Sequence, residues 1–183
     1  QRGSGAISTT RLVAGKAYNV PFRESFANAS LSSLVWLAET KGTSWKIRRG
    51  IACDNDGGAL CFEPAHAGDG SVLGTGKISL LGTTNPKLIF NYGRKDFSDT
   101  KLVVFVQRPD GTRTELKTID FSKINEQTPW QTEVLPLNGF ENERYIFVGF
   151  KAISGNNRAP IFVDNIRVME VQRHNLAVTV SGT

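Results

Sequence analysis

The stretch Ile161–Val168, IFVDNIRV, decides how the chain is read. It has the composition of a β-strand with an acid in its middle. Successive side chains of a strand point to opposite faces. Strict alternation places Phe162, Asp164, Ile166 and Val168 on one face. A carboxylate among three core-seeking side chains needs a partner. The same oddity recurs near the start of the chain, where PFRESF aligns Phe22, Glu24 and Phe26 on one strand face.

Outward from Ile161, the chain repeats the strand signal. AYNVPFRESF precedes SLVWLAE and TSWKIRR, and ALCFEP, GKISLLG, PKLIFNYG, TKLVVFVQ, RTELKTIDF, WQTEVLPL and RYIFVGFKA follow. Each run is short and bounded by turn residues. RPDGT between VVFVQ and RTELK is a tight-turn sequence that predicts a hairpin. Helical periodicity is scarce. TIDFSKINEQ is followed by Pro129 and holds a turn or two at most. Roughly ten or more short strands without intervening helices predict an all-β fold, an antiparallel β-sandwich of jelly-roll form. The expected architecture is of the concanavalin or galactose-binding kind. Residues 18–172 form the sandwich, 1–17 read as the exit of a preceding module or linker, and 173–183 as the start of a following β-module or an edge strand.

The 183 residues, 39% hydrophobic and 21% charged, fit a globular domain with a sizeable core rather than a disordered chain. The net charge of +5 is spread along the sequence. No basic run reads as a nucleic-acid arm, so no nucleic-acid partner is expected. No apolar run approaches the roughly 20 residues of a membrane span, so direct membrane insertion is not expected either. QRGSGAISTT lacks the apolar segment of an export signal, and the chain reads as a piece of a longer one.

Catalytic signatures are missing. There is no nucleophile elbow, no zinc-protease helix and no phosphate loop, and His66 and His174 stand alone. An enzyme is not expected. Cys53 and Cys61 flank DNDGGAL. Zinc wants four ligands, which the chain does not cluster. The turn-forming DNDGG predicts that the strands on either side pair and join the sulfurs as a disulfide, which implies an oxidising compartment. DNDGG is also a fragment of a calcium loop, but it lacks the terminal acid and flanking helices of an EF-hand, so a turn is the better reading. Trp36, Trp45 and Trp130 are candidate platforms for stacking sugar rings. Each lies beside aliphatic residues in a strand, which favours a place in the core.

The order of these pieces resembles the MAM-like jelly rolls of bacterial surface proteins, the group with the cleaved-adhesin and choice-of-anchor J domains. An acid-bearing first strand, PFRESF, opens the match. LIFNY, WQTEVLPL and the closing IFVDNIRV follow in the same order, over about Val20 to Val171. The resemblance implies a non-catalytic adhesion or ligand-binding module of a larger secreted or cell-surface protein. Implied partners are a host or cell-surface protein or glycan, together with other modules of the same chain. A carbohydrate-binding module attached to an enzyme and a structural spacer are the alternatives. The resemblance also implies a structural calcium, though AETKGTSW carries only Glu39 where relatives have an acidic loop. In such jelly rolls the first and last strands meet. Two adjacent carboxylates repel, and a calcium ion relieves that repulsion. Glu24 and Asp164 are therefore the expected calcium ligands. The competing reading pairs one acid with Arg23 or Arg167, or turns it to solvent.

Overall fold

The computed structural model describes residues 16–27, 35–53, 57–124 and 130–171. The segments expected to be flanking modules lie almost wholly outside these residues. The described chain is a two-layer antiparallel β-sandwich. Its thirteen strands are β1 (Tyr18–Asn19), β2 (Phe22–Glu24), β3 (Val35–Lys41), β4 (Lys46–Arg49), β5 (Gly58–Phe62), β6 (Gly70–Thr75), β7 (Ile78–Ser79), β8 (Pro86–Arg94), β9 (Lys101–Gln107), β10 (Arg113–Asp120), β11 (Trp130–Pro136), β12 (Phe147–Ile153) and β13 (Ile161–Glu170). One sheet runs β10-β9-β12-β6-β3. The other runs β11-β8-β13-β5-β4, with β2 pairing β13, and β1 and β7 form a short parallel pair. The first strands and the last do meet: Glu24 stands opposite Ile166 and Phe22 opposite Val168.

The local signals act as expected at the hairpins. β9 and β10 are joined through Arg108–Thr112, where the Arg108 amide donates to the Thr112 carbonyl and the Asp110 carboxylate accepts from the Thr112 amide. Only a 3-10 turn, Phe121–Lys123, forms within TIDFSKINEQ. Its N-cap, Asp120, accepts from the Ser122 amide and hydroxyl, which hold its carboxyl below the ordinary carboxylate range.

The core lies between the sheets. Leu60 and Phe62, Leu88 and Phe90, Leu135, and Phe22 face it from one layer. Leu73, Leu102, Val104, Val106, Val148 and Phe150 face it from the other. Phe90 and Phe150 bridge the layers edge-on with ring centroids 5.3 Å apart. From β13 the core receives Ile161, Val163, Ile166 and Val168. That set breaks strict alternation. The register shifts between Asp164 and Arg167, and Asn165 takes a left-handed φ of 54°. This bulge inserts one residue and flips the parity of the strand. Asp164 therefore does not share a face with Ile166 and Val168. With Phe162 it points to the outer side of the six-stranded sheet.

The outer face of the five-stranded sheet is shaped by a glycine. Gly149 stands directly opposite Phe105, and the Phe105 ring occupies the space that a side chain at 149 would need. Replacing Gly149 with Val should lower unfolding stability by about 1–3 kcal/mol through overpacking. The loss should shrink when Phe105 is also changed to Ala, because the two sites share one volume. Denaturant melts of the two single variants and the double variant measure this. Additive losses would show that the ring does not set the constraint.

Candidate functional site

Two places gather polar chemistry. The first is the bulge of β13. Asp164 is fully buried, at 0% exposure, although it faces away from the core. Cys53, in the segment that follows β4, reaches it. Oδ2 of Asp164 accepts from the Cys53 amide at 2.8 Å, and Oδ1 accepts from the Asn165 amide at 2.8 Å. The structure does not bring Glu24 to Asp164: Glu24 stands opposite Ile166 on the inner side of the sheet, where its Oε2 accepts from the Phe26 amide at 2.9 Å. Arg167 donates to the Asn165 carbonyl and to Oδ1 of Asn91 rather than to Asp164. Beside Asp164, the buried Oδ1 of Asn165 has no hydrogen-bond partner. An orphaned carbonyl-type oxygen next to a buried carboxylate is a hard-oxygen donor pair of the kind calcium takes. Among the described residues no group of three or more His, Cys, Asp or Glu side chains is placed around a metal. Asp54 to Asp56 lie outside them.

The expected disulfide is not formed. Cys53 and Cys61 are separate thiols. The reason is register. β4 ends at Arg49, which pairs with Gly58, and Cys61 stands opposite Lys46. The connection is thus wider than DNDGG, and Cys53 falls inside it, its backbone bound to Asp164 rather than laddered against Cys61. Burial raises the Cys61 thiol pKa, opposed by the nearby Arg48.

The tryptophans separate. Trp45 is a core residue, 4% exposed, with Nε1 donating to the Ser71 and Phe150 carbonyls. It offers no ring face to a sugar. Trp130 is half-buried on the outer side of the six-stranded sheet, tilted against Phe162 with centroids 6.4 Å apart. Trp36 occupies a register shift in β3, and its side chain lies outside the described residues.

The second place is the outer face of the five-stranded sheet. Strands spaced about 4.8 Å apart would set β10 and β3 roughly 19 Å apart in a flat sheet. Yet Arg113 of β10 pairs with Oε1 of Glu39 of β3. Two side chains meet over that span only if the sheet curls with this face inside the curve. On the way, the Arg113 guanidinium lies over the Phe105 ring, 4.7 Å from its centroid, and Nε donates to Oε1 of Gln107 at 2.8 Å. Beside this strap opens a hollow of about 450 Å³, lined in part by Lys41, Val72, Lys151 and Ile153. A second hollow, about 470 Å³, lies along the seam between the layers at Tyr92, Asp120 and Gln131. It runs beside the strand edges rather than across a sheet face. None of these outer-face residues was legible as a set: Glu39, Lys41, Arg113 and Lys151 are scattered in sequence, and only the strand order brings them together.

Asp69 fixes the end of the concave hollow, between Gly68 and Gly70 of its lining. Oδ2 accepts from the Thr43 hydroxyl and from the Ala65 and His66 amides at 2.9–3.0 Å. Gly42 packs against this carboxylate with φ 83°, where a side chain would collide. Asp69 thus ties the AETKGTSW loop to the turn before β6.

No protein-family model and no curated protein matches the chain. Solved structures do. The K1 cleaved adhesin domain of Lys-gingipain from Porphyromonas gingivalis is similar at 17% identity, with 84% of this chain and 99% of that chain covered and a TM-score of 0.63. The K2 domain of the same protein gives 12% identity, coverage of 83% and 99%, and a TM-score of 0.61. TmCBM61, solved in complex with β-1,4-galactotriose, gives 13% identity, coverage of 80% and 94%, and a TM-score of 0.61. The fold is therefore the β-sandwich shared by cleaved adhesin domains and carbohydrate-binding modules. Among the described residues no helix is long and apolar enough to cross a membrane.

The Asp69 carboxyl is held below the ordinary carboxylate range, first by the His66 amide and against burial, with Thr43 and Ala65 adding to the effect. A depressed native pKa stabilises the fold above the unfolded value, about 3.9, and the contribution is lost as pH falls through the native value. Asp69→Asn should lower Tm at neutral pH and flatten the fall of Tm below about pH 4. Melts from pH 7 down to pH 2 check this. An acid limb unchanged by the substitution would show that Asp69 does not contribute to it.

Proposed function

We propose that this chain is a non-catalytic, glycan-binding module of an extracellular or cell-surface protein, with the concave face of the five-stranded sheet as its binding surface. One observation carries the reading: the strap from Arg113 to Glu39, which requires a curled sheet with an open hollow beside it. Ligand sites are concave, with apolar floor and few convergent polar groups. Here the exposed Ile153 supplies apolar surface for the C–H faces of sugar rings, beside the buried floor residue Val72. Lys41, Lys151 and the strap supply donors and acceptors for hydroxyl groups. The likeness in fold to a module solved with a galactose oligosaccharide supports the class of ligand. The bonded core position of Trp45 removes one of the expected sugar platforms. On this face Phe105 is only 4% exposed beneath Arg113.

The same reading includes one structural calcium at the β13 bulge. Asp164 and Oδ1 of Asn165 would hold it, with backbone carbonyls and water completing six to eight oxygens; Glu24, on the inner side of the sheet, is not among the ligands. Its contribution is stability, since an ion bound only by the folded chain shifts unfolding by mass action.

A glycan array probed with the whole protein should give reproducible binding to a polysaccharide, weakened by Ile153→Asp in the hollow. Silence across all glycans would overturn the binding reading. Excess chelator should lower Tm, calcium should restore it, and Asn165→Ala should abolish the response while keeping the Asp164 bond to Cys53. A Tm indifferent to chelator, with no metal in the protein as purified, would overturn the calcium site alone.

A further inference from the structure

We propose that the concave hollow selects an acidic polysaccharide, one with carboxylates along its chain, and that Glu39 holds the ligand's place on Arg113 until it binds. This rests on the reading of the concave sheet as the glycan face.

The residues already display the recognition. Arg113 binds a carboxylate, that of Glu39, while stacked on Phe105. A guanidinium fork matches carboxylate geometry, and the fork here is pre-set: Gln107 holds Nε and the Phe105 ring holds the plane, both independent of Glu39. Glu39 is therefore exchangeable without loss of Arg113 placement. The pair is reachable, since 49% of the Glu39 side chain and 35% of the Arg113 side chain are open to solvent. The charge beyond the pair is positive. Lys41 and Lys151 line the same hollow, and neither pairs with a carboxylate of the described residues. Lys151 stands directly opposite Val72, and Glu39 opposite Val72 on the far side, so a cation and the exchangeable acid flank one apolar floor residue. A uronate chain laid along the hollow against Ile153 would offer one carboxylate to Arg113 and another to the lysines. The opposing charges are Glu115, opposite Phe105, which accepts from the Thr118 hydroxyl, and Asp69 at the end of the hollow, whose carboxylate is taken up by Thr43 and the Ala65 and His66 amides.

Affinity electrophoresis of the whole protein through polygalacturonate, neutral galactan and dextran sulfate tests this. Polygalacturonate should retard the wild type most, and added salt should weaken the retardation. Glu39→Gln should tighten it about two- to fivefold, the scale of one exposed ion pair. Combined Lys41→Glu and Lys151→Glu should weaken it about tenfold. Circular dichroism confirms folding of each variant. Equal, salt-insensitive binding of galactan would overturn the acidic preference and leave the glycan-binding reading in place. Dextran sulfate binding as tightly as polygalacturonate, unmoved by Glu39→Gln, would reduce the face to a cation exchanger and overturn the proposal. No retardation by any of the three polymers, with every variant folded, would overturn it too; only if the glycan array is silent as well does the broader reading fall.

Discussion

One inserted residue in β13 governs much of this architecture. A strand at the centre of the six-stranded sheet is packed on both edges and must present an unbroken apolar face to the opposite layer. Strict alternation through IFVDNIRV would have put a carboxylate into that face. The left-handed turn at Asn165 resets the alternation, so that Ile161, Val163, Ile166 and Val168 all reach the core. The acid is displaced to the outer side, where the cost of burying it is met by two backbone amides. The same bulge marks where β5 stops pairing with β13 and β2 begins. β5, β2 and the residues after β4 therefore meet β13 around this bulge.

The two sheets serve different ends. The six-stranded sheet is closed on its outer side around Asp164, where Cys53 bonds to the acid and Phe162 and Cys61 are buried. The five-stranded sheet leaves its outer side open and curled. Gly149 permits Phe105 to lie flat across the strands, and Arg113 then stacks on the ring and reaches β3. A concave face with a fixed cation at one wall follows from a missing Cβ in the middle strand.

The fold was legible because its signals are local. Short apolar runs, the RPDGT turn, the short TIDFSKINEQ segment and the closing DN strand each report on a few residues, and together they leave room for little besides a sandwich. The pairing of PFRESF with IFVDNIRV was expected only through the resemblance to jelly rolls whose first and last strands meet. What was not legible depends on parity and register. A bulge is one residue, and nothing in DN distinguishes an in-facing Asp164 from an out-facing one. The Cys53–Cys61 expectation failed for the same reason: the turn signal locates a reversal but not the residue at which pairing resumes. The concave face was invisible because Glu39, Arg113 and Lys151 become neighbours only through the order of four strand pairings.

The central claim is that ligand binds inside the curl of the five-stranded sheet. Amide chemical-shift mapping of the isotope-labelled protein, titrated with a galacturonate oligosaccharide, tests it most directly. The account predicts shifts confined to Glu39–Lys41, Gly70–Val72, Phe105, Arg113 and Gly149–Ile153, with the β8, β11 and β13 amides still. Saturable shifts centred instead on Trp130, Thr132 and Val134, on the other sheet, would contradict it.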